Sequence, residues 1–204
     1  MTGPCKPQTL LDQPPLWRCD GFLAPGDASR LQSTLEHALS WQRPSLSLFG
    51  RHHPIPRRQV WMGDPEARYR YSGHDFMPEA WHPEVADLAE RVNLALSAQG
   101  DIPRFNSVLL NRYASGEERM GWHSDDEPEL GHAPLIAAIS LGSERPLRFR
   151  WRDRRAPAFN VSLPHGSLLV MGAGVQHQLQ HALLPRRGHG IRISLTFRHI
   201  IGQH

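Results

Sequence analysis

The second half of the chain constrains the fold most. Beyond Gly100 no apolar repeat of helical period continues, and short apolar stretches take its place: FNSVLLNRY, PLIAAISL, PLRFRW, FNVSL, SLLVMG and IRISLTFRHI. Turn-forming residues separate them. Several short strands of this kind build a sandwich or a barrel, because each carries an apolar face that another sheet must cover. The first half reads differently. Leu31, Leu35, Ala38 and Trp41 recur at helical spacing within residues 25 to 41, with Asp27 as a plausible cap. From Pro83, which suits a first helical position, Val85, Leu88, Ala89, Val92 and Leu96 trace a second apolar face that stops near Gly100. Residues 42 to 80 are rich in Pro, Gly, His and Arg and read as loops with short strands, RRQVWM and RYRYS among them. The expectation is a mainly β chain with flanking helices. A single domain would span 1–204, its β-core over 101–204 and its helices and loops over 1–100.

Composition narrows the class. A length of 204 residues suffices for one domain with a sizeable core. Hydrophobic residues at 39% and charged residues at 21% fit a folded soluble protein, and no apolar run is long enough to cross a bilayer, so no membrane partner is expected. The N-terminal MTGPCKPQTLLDQPPLW lacks a secretory signal, which predicts a protein that is not secreted. Cys5 and Cys19 support neither a disulfide framework nor a thiolate metal site, and a reducing compartment suits them. Net charge is a mild +3, but the arginines cluster. Arg51, Arg57, Arg58, Arg68 and Arg70 form one group; Arg145, Arg148, Arg150, Arg152, Arg154 and Arg155 form another. A solvated basic face and a nucleic-acid footprint both account for them.

The densest chemistry lies in GWHSDDEPELG, residues 121 to 131. His123 and Asp125 stand two apart, so an extended segment presents both on one face. Two histidines and one carboxylate can hold a metal facially and leave positions open, and His177 and His181 are the downstream candidates for the third place. Taken alone, His-x-Asp reads better as a chance pair on a loop until a third ligand is named.

NSVLLNRY, GWHSDDEPELG, PLIAAISLG, HGSLLVMGAGVQHQLQH and RISLTFR occur in this order. In that order they resemble the motifs of the AlkB-like iron(II)/2-oxoglutarate dioxygenases, most closely the DNA-repair branch. The match is dense over about residues 105 to 200 and sparser before, through LFG, PRRQ, GD and YRYSG. The resemblance implies a double-stranded β-helix (jelly-roll) core with N-terminal helices and a nucleotide-recognition lid over residues 44 to 75. It makes His123, Asp125 and His181 the ligands of Fe(II), leaving His177 outside the metal's ligands. Asn111, Tyr113, Arg192 and Arg198 would bind 2-oxoglutarate, Arg192 at its distal carboxylate and Arg198 toward the metal. A permanently charged planar donor suits that carboxylate. With O2 the family couples decarboxylation of 2-oxoglutarate to hydroxylation of an N-methyl group, releasing succinate and formaldehyde. No protein nucleophile is needed, and no Ser-His-Asp or Cys-His arrangement stands out.

Substrate residues follow from the same resemblance. Asp126 and Glu127 would lie near a flipped base, where negative charge favours cationic 1-methyladenine or 3-methylcytosine; for Glu127 a water-facing loop position is the alternative. Tyr71 falls at the stacking aromatic and Tyr69 at a pocket residue beside it. Phe49 matches a finger that fills the gap left by the flipped base, with the core as its alternative. Arg51, Arg57 and Arg58 would flank it and meet phosphates. Three departures stand out: Met62 where relatives often carry Tyr, Ser194 in place of Asn, and a slightly short segment between His181 and Arg192. The implied partner is alkylated DNA, single- or double-stranded, with RNA or a protein side chain as rivals, and the protein would be a monomer. It would reside in the cytoplasm of a bacterium or the nucleus of a eukaryote. A binding module without turnover and a zinc hydrolase with Glu127 as base are rivals of other classes.

Overall fold

The computed structural model describes residues 6–48, 51–71, 74–98, 100 and 102–201. Strands are numbered in chain order. The larger of two antiparallel sheets contains, from edge to edge, β1 (Gln8–Leu11), β2 (Leu16–Cys19), β13 (Ser167–Met171), β10 (Ile136–Gly142), β15 (Arg192–Arg198), β8 (Ser107–Tyr113) and β5 (Arg58–Gly63). The smaller contains β12 (Phe159–Val161), β11 (Leu147–Trp151), β14 (Leu179–Leu183) and β9 (Met120–His123). Two hairpins pair separately, β3 (Ser45–Leu48) with β4 (Arg51–Pro54) and β6 (Tyr69–Tyr71) with β7 (His74–Phe76). Helices α1 (Pro25–Ala38) and α2 (Pro83–Ser97) and the short α3 (Val175–Gln178) complete a mostly β molecule with a jelly-roll core. Among the described residues no helix is long and apolar enough to cross a membrane.

Side-chain alternation explains the two layers. On β10, Ala137, Ile139 and Leu141 join Leu35, Leu88 and Val92 of the helices in one core. Ile136 and Ala138 of the same strand turn the other way, to Phe149 and Trp151 of β11 and Leu179 of β14. A strand buried on both faces has no need of polar alternation, which is why PLIAAISL reads as a nearly unbroken apolar run. Arg112 on β8 reaches α1 through Nε, which donates to Glu36 Oε1 at 2.8 Å.

The helices start where expected, with two corrections. Helix α1 ends at Ala38, so Trp41 lies beyond it while still packing against the same core. Ala24, not Asp27, occupies the cap of α1; Pro25 starts the helix, and Asp27 sits in the first turn, where its carboxylate favours the helix dipole and pairs with Arg30 at 2.7 Å. The larger sheet also draws β1 and β2 from the first 19 residues, which show no strand pattern in the sequence, while β5 falls on the expected short strand RRQVWM. Sequence spacing also left β9 and β14 unmarked. LQHAL interrupts its apolar residues with Gln180 and His181, and the metal-facing chemistry there masks the strand. Cys19 is buried and disulfide-bonded, against the expectation of reduced cysteines; Cys5 lies outside the described residues.

Candidate active site

Pairing of β9 with β14 sets His123 directly opposite His181. Their ring centroids are 4.2 Å apart. Asp125, two residues past the end of the strand side chain of His123, turns to the same side, and His123 Nε2 lies 3.5 Å from its Oδ1. One ligand atom from each of the three lies within 4.8 Å of the others. His123 Nδ1 is 2.9 Å from the Gly121 carbonyl oxygen, which can only accept, so Nδ1 carries the proton and Nε2 presents its lone pair. His181 is buried, and among the described residues its Nδ1 has no hydrogen-bond partner. Burial pushes the His181 imidazolium down to about 4, with His123 and Arg198 adding to the effect and Asp125 opposing it. Burial acts on Asp125 in the opposite sense, but the Arg198 guanidinium 2.9 Å away and the two imidazoles outweigh it and hold the carboxyl at about 2. Two imidazoles and a carboxylate at this spacing fit a divalent iron with positions left open.

Two positioning contacts were not legible beforehand. The Asp125 backbone N–H donates to Gln176 Oε1 at 2.9 Å, and Ser124 Oγ donates to the Leu179 carbonyl at 2.9 Å. Gln176 lies within the quoted VQHQLQH, yet nothing in that stretch points to a partner 51 residues away. His177 stays outside the donor set, as expected, its ring 5.0 Å from that of His132.

The floor of the pocket is built by β8 and β15. Their register pairs Arg192 with Tyr113 and Ser194 with Asn111. Asn111, Tyr113, Arg192, Ser194 and Arg198 therefore line one cavity with His123, Asp125 and His181. Arg192 is buried; one terminal nitrogen donates to Ser140 Oγ at 2.8 Å and its Nε has no partner. Burial, with repulsion from Arg145 and against Tyr113, lowers its guanidinium to about 10. A buried cation bonded among the described residues only to a hydroxyl fits the far carboxylate of a dicarboxylic acid. Burial raises the Tyr113 phenol against the pull of Arg192, Arg57 and Arg145, so it stays a proton donor. Ser140 was also missed, although one hydroxyl in the apolar PLIAAISL was its visible signal.

The residues assigned to the substrate are less uniformly placed. Asp126 points away from Asp125 and pairs with Arg152 at 2.8 Å on the surface. Glu127 is exposed and precedes the turn Pro128–Leu130. Arg51 is exposed at the start of β4. Arg57 is half-buried and donates from Nε to Asn111 Oδ1 at 2.8 Å, so its guanidinium meets the pocket floor where a phosphate contact was expected. Tyr69 and Tyr71 lie on β6, but their side chains, like Phe49 as a whole, fall outside the described residues. Met62 packs into the core beneath the helices, so its departure from Tyr does not touch the cavity.

A profile described as the 2OG-Fe(II) oxygenase superfamily matches residues 17–198. The cattle protein named DNA oxidative demethylase ALKBH2 is 35% identical over 164 residues, which are 76% of this chain and 57% of that protein. Human alpha-ketoglutarate-dependent dioxygenase alkB homolog 3 is 35% identical over 191 residues, 87% of this chain and 63% of that one. The chain thus spans about three fifths of the curated relatives it matches. The solved structure described as that of OsALKBH1 covers 95% of this chain and 100% of its own with a TM-score of 0.65 at 19% identity, a likeness of fold. With the matched profile running through every strand that carries a metal donor or Arg192, the chain belongs to the 2OG-Fe(II) oxygenase superfamily, in its AlkB-like group.

Proposed function

We propose that this protein removes alkyl groups from nucleic-acid bases by oxidative demethylation, with 1-methyladenine and 3-methylcytosine lesions in DNA as substrates. The observation that carries the reading is the convergence of His123, Asp125, His181, Arg192 and Arg198 on one cavity, joined to the similarity of the chain to a protein named DNA oxidative demethylase. Family membership brings iron(II), 2-oxoglutarate and O2, and the donor set and the carboxylate-free Arg192 fit the first two. When bound, iron and 2-oxoglutarate supply the oxidation of an N-methyl group, whose carbon leaves as formaldehyde.

The residues of the chain do the rest. His123 and His181 offer ring nitrogens and Asp125 a carboxylate oxygen, while Arg198 holds the second oxygen of that carboxylate and fixes its orientation. Arg192, Tyr113 and Asn111 orient the co-substrate from the floor. Asp126 and Glu127, at the end of the metal-bearing strand, supply negative charge beside a cationic base. Phe49 would supply the wedge and Tyr69 and Tyr71 the stacking faces that an extruded base needs, and Arg51 would supply charge for the phosphate backbone.

The test is direct. With iron(II), 2-oxoglutarate and air, the protein should release formaldehyde and succinate from oligonucleotides carrying either lesion, and His181→Ala should lower both by at least about a thousandfold. Equal turnover with zinc alone would overturn the reading. Methylated single-stranded DNA, duplex DNA and RNA in parallel decide the polymer, and a Phe49→Ala loss confined to the duplex identifies the finger.

A further inference from the structure

Arg145 belongs by sequence to the arginine group that suggested a surface face. It is instead fully buried, between β10 and β11. Its terminal nitrogens donate to the carbonyl oxygens of Ser115 at 3.3 Å, Gly116 at 3.3 Å and Leu184 at 2.8 Å. Its Nε is buried without a partner. No carboxylate accepts from it among the described residues, and Glu117 and Glu118 act on it only through space. A buried cation without an ion-pair partner is unfavourable, and an apolar side chain would fill the same space more favourably if packing were the only demand.

Its position suggests what offsets that cost. The guanidinium carbon of Arg145 is 5.5 Å from the centre of the Tyr113 ring, and that of Arg192 is 5.8 Å from the same centre. Two buried guanidiniums thus converge on one tyrosine at the far end of the co-substrate cavity. They repel each other, and their hydrogen bonds go to carbonyls and a hydroxyl rather than to an anion. A negative charge placed against Arg192 relieves both. Arg145 does not line the cavity itself, so it acts through its field and through the turn at Ser115 and Gly116.

We propose that Arg145 is a specificity-determining positioning residue, which makes this end of the cavity select an oxo acid with a second carboxylate over one without it. The inference rests on 2-oxoglutarate as the occupant of the cavity.

Calorimetric titration without oxygen, with Mn(II) in place of iron, tests it on the whole chain. The ligands are 2-oxoglutarate and 2-oxobutyrate, which shares the oxo-acid head and lacks the far carboxylate. Arg145→Gln keeps a hydrogen-bond donor but loses the charge; it should bind 2-oxoglutarate about tenfold more weakly, the size of a full charge acting across several ångströms of protein, and 2-oxobutyrate unchanged. Arg145→Lys keeps the charge and should preserve the wild-type ratio of the two affinities. Undiminished 2-oxoglutarate binding by Arg145→Gln overturns the inference, as does an equal loss for both ligands. If Arg145→Gln fails to fold, Arg145→Lys decides alone: a selective loss of 2-oxoglutarate with the charge retained overturns it. Failure of the wild type to bind either oxo acid removes the co-substrate assignment instead, and this inference with it.

Discussion

His181 and Asp125 make the metal-free site sensitive to acid. The folded chain holds the imidazolium of His181 near 4, below the ordinary 6.5, and the carboxyl of Asp125 near 2, below the ordinary 3.8. Between pH 6.5 and about 4 the unfolded chain therefore takes up a proton at His181 that the folded chain refuses, and below 3.8 the same holds for Asp125. Stability from both groups falls as pH falls. Thermal melts of the metal-free protein should show Tm declining from pH 6.5 toward 4, and His181→Leu should flatten that decline; a decline of equal slope in the variant places its origin elsewhere. The three metal donors were legible because motif order and two-residue spacing survive in the linear sequence. Arg145 was not, since Ser115, Gly116 and Leu184, which surround its charge, are far from it in the chain.

The short α3 shows how an element can serve a site it does not enter. It has one turn, and that turn brings Gln176 under the loop after β9, where it accepts the Asp125 N–H. Gln176→Leu would keep the volume and leave a buried N–H without an acceptor, a cost of about 1–3 kcal/mol. The expected outcome is a stability loss of that size by denaturant titration, with metal affinity about tenfold weaker because Asp125 is no longer held in register. Longer elements were easier to foresee. Seven-residue β8, β10 and β15 carry enough apolar positions to declare themselves, whereas β9 and β14 trade those positions for histidines, glutamine and tryptophan. The strands hardest to foresee are thus those that present the metal.

At the scale of the molecule, the core packed against the helices and the metal-facing cavity lie on opposite faces of one sheet. The core between the helices and the larger sheet contains Leu35, Val92, Leu110 and Phe197, and none of them lines the cavity. Leu35→Ala should cost about 2–5 kcal/mol of stability, read by denaturant unfolding, while metal affinity at 25 °C stays within about twofold. A sandwich or barrel was readable from strand number and turn spacing, and the jelly-roll from the resemblance of the motifs, but not the recruitment of β1 and β2, whose four residues each are too few to show a period. One contact crosses the whole arrangement: Arg57, at the root of the hairpin region, holds Asn111 on the cavity floor. The oxygens of 2-oxoglutarate only accept, so the co-substrate would take the Asn111 Nδ2–H while Arg57 keeps Oδ1 and aims that amide. Occupancy of the floor and the seating of the Arg57 segment are then thermodynamically linked. Reciprocity then applies: whatever factor 2-oxoglutarate adds to oligonucleotide affinity, the oligonucleotide must add to 2-oxoglutarate affinity. Titrating each ligand in the presence of the other should give one common factor in the wild type and a factor near one in Arg57→Ala.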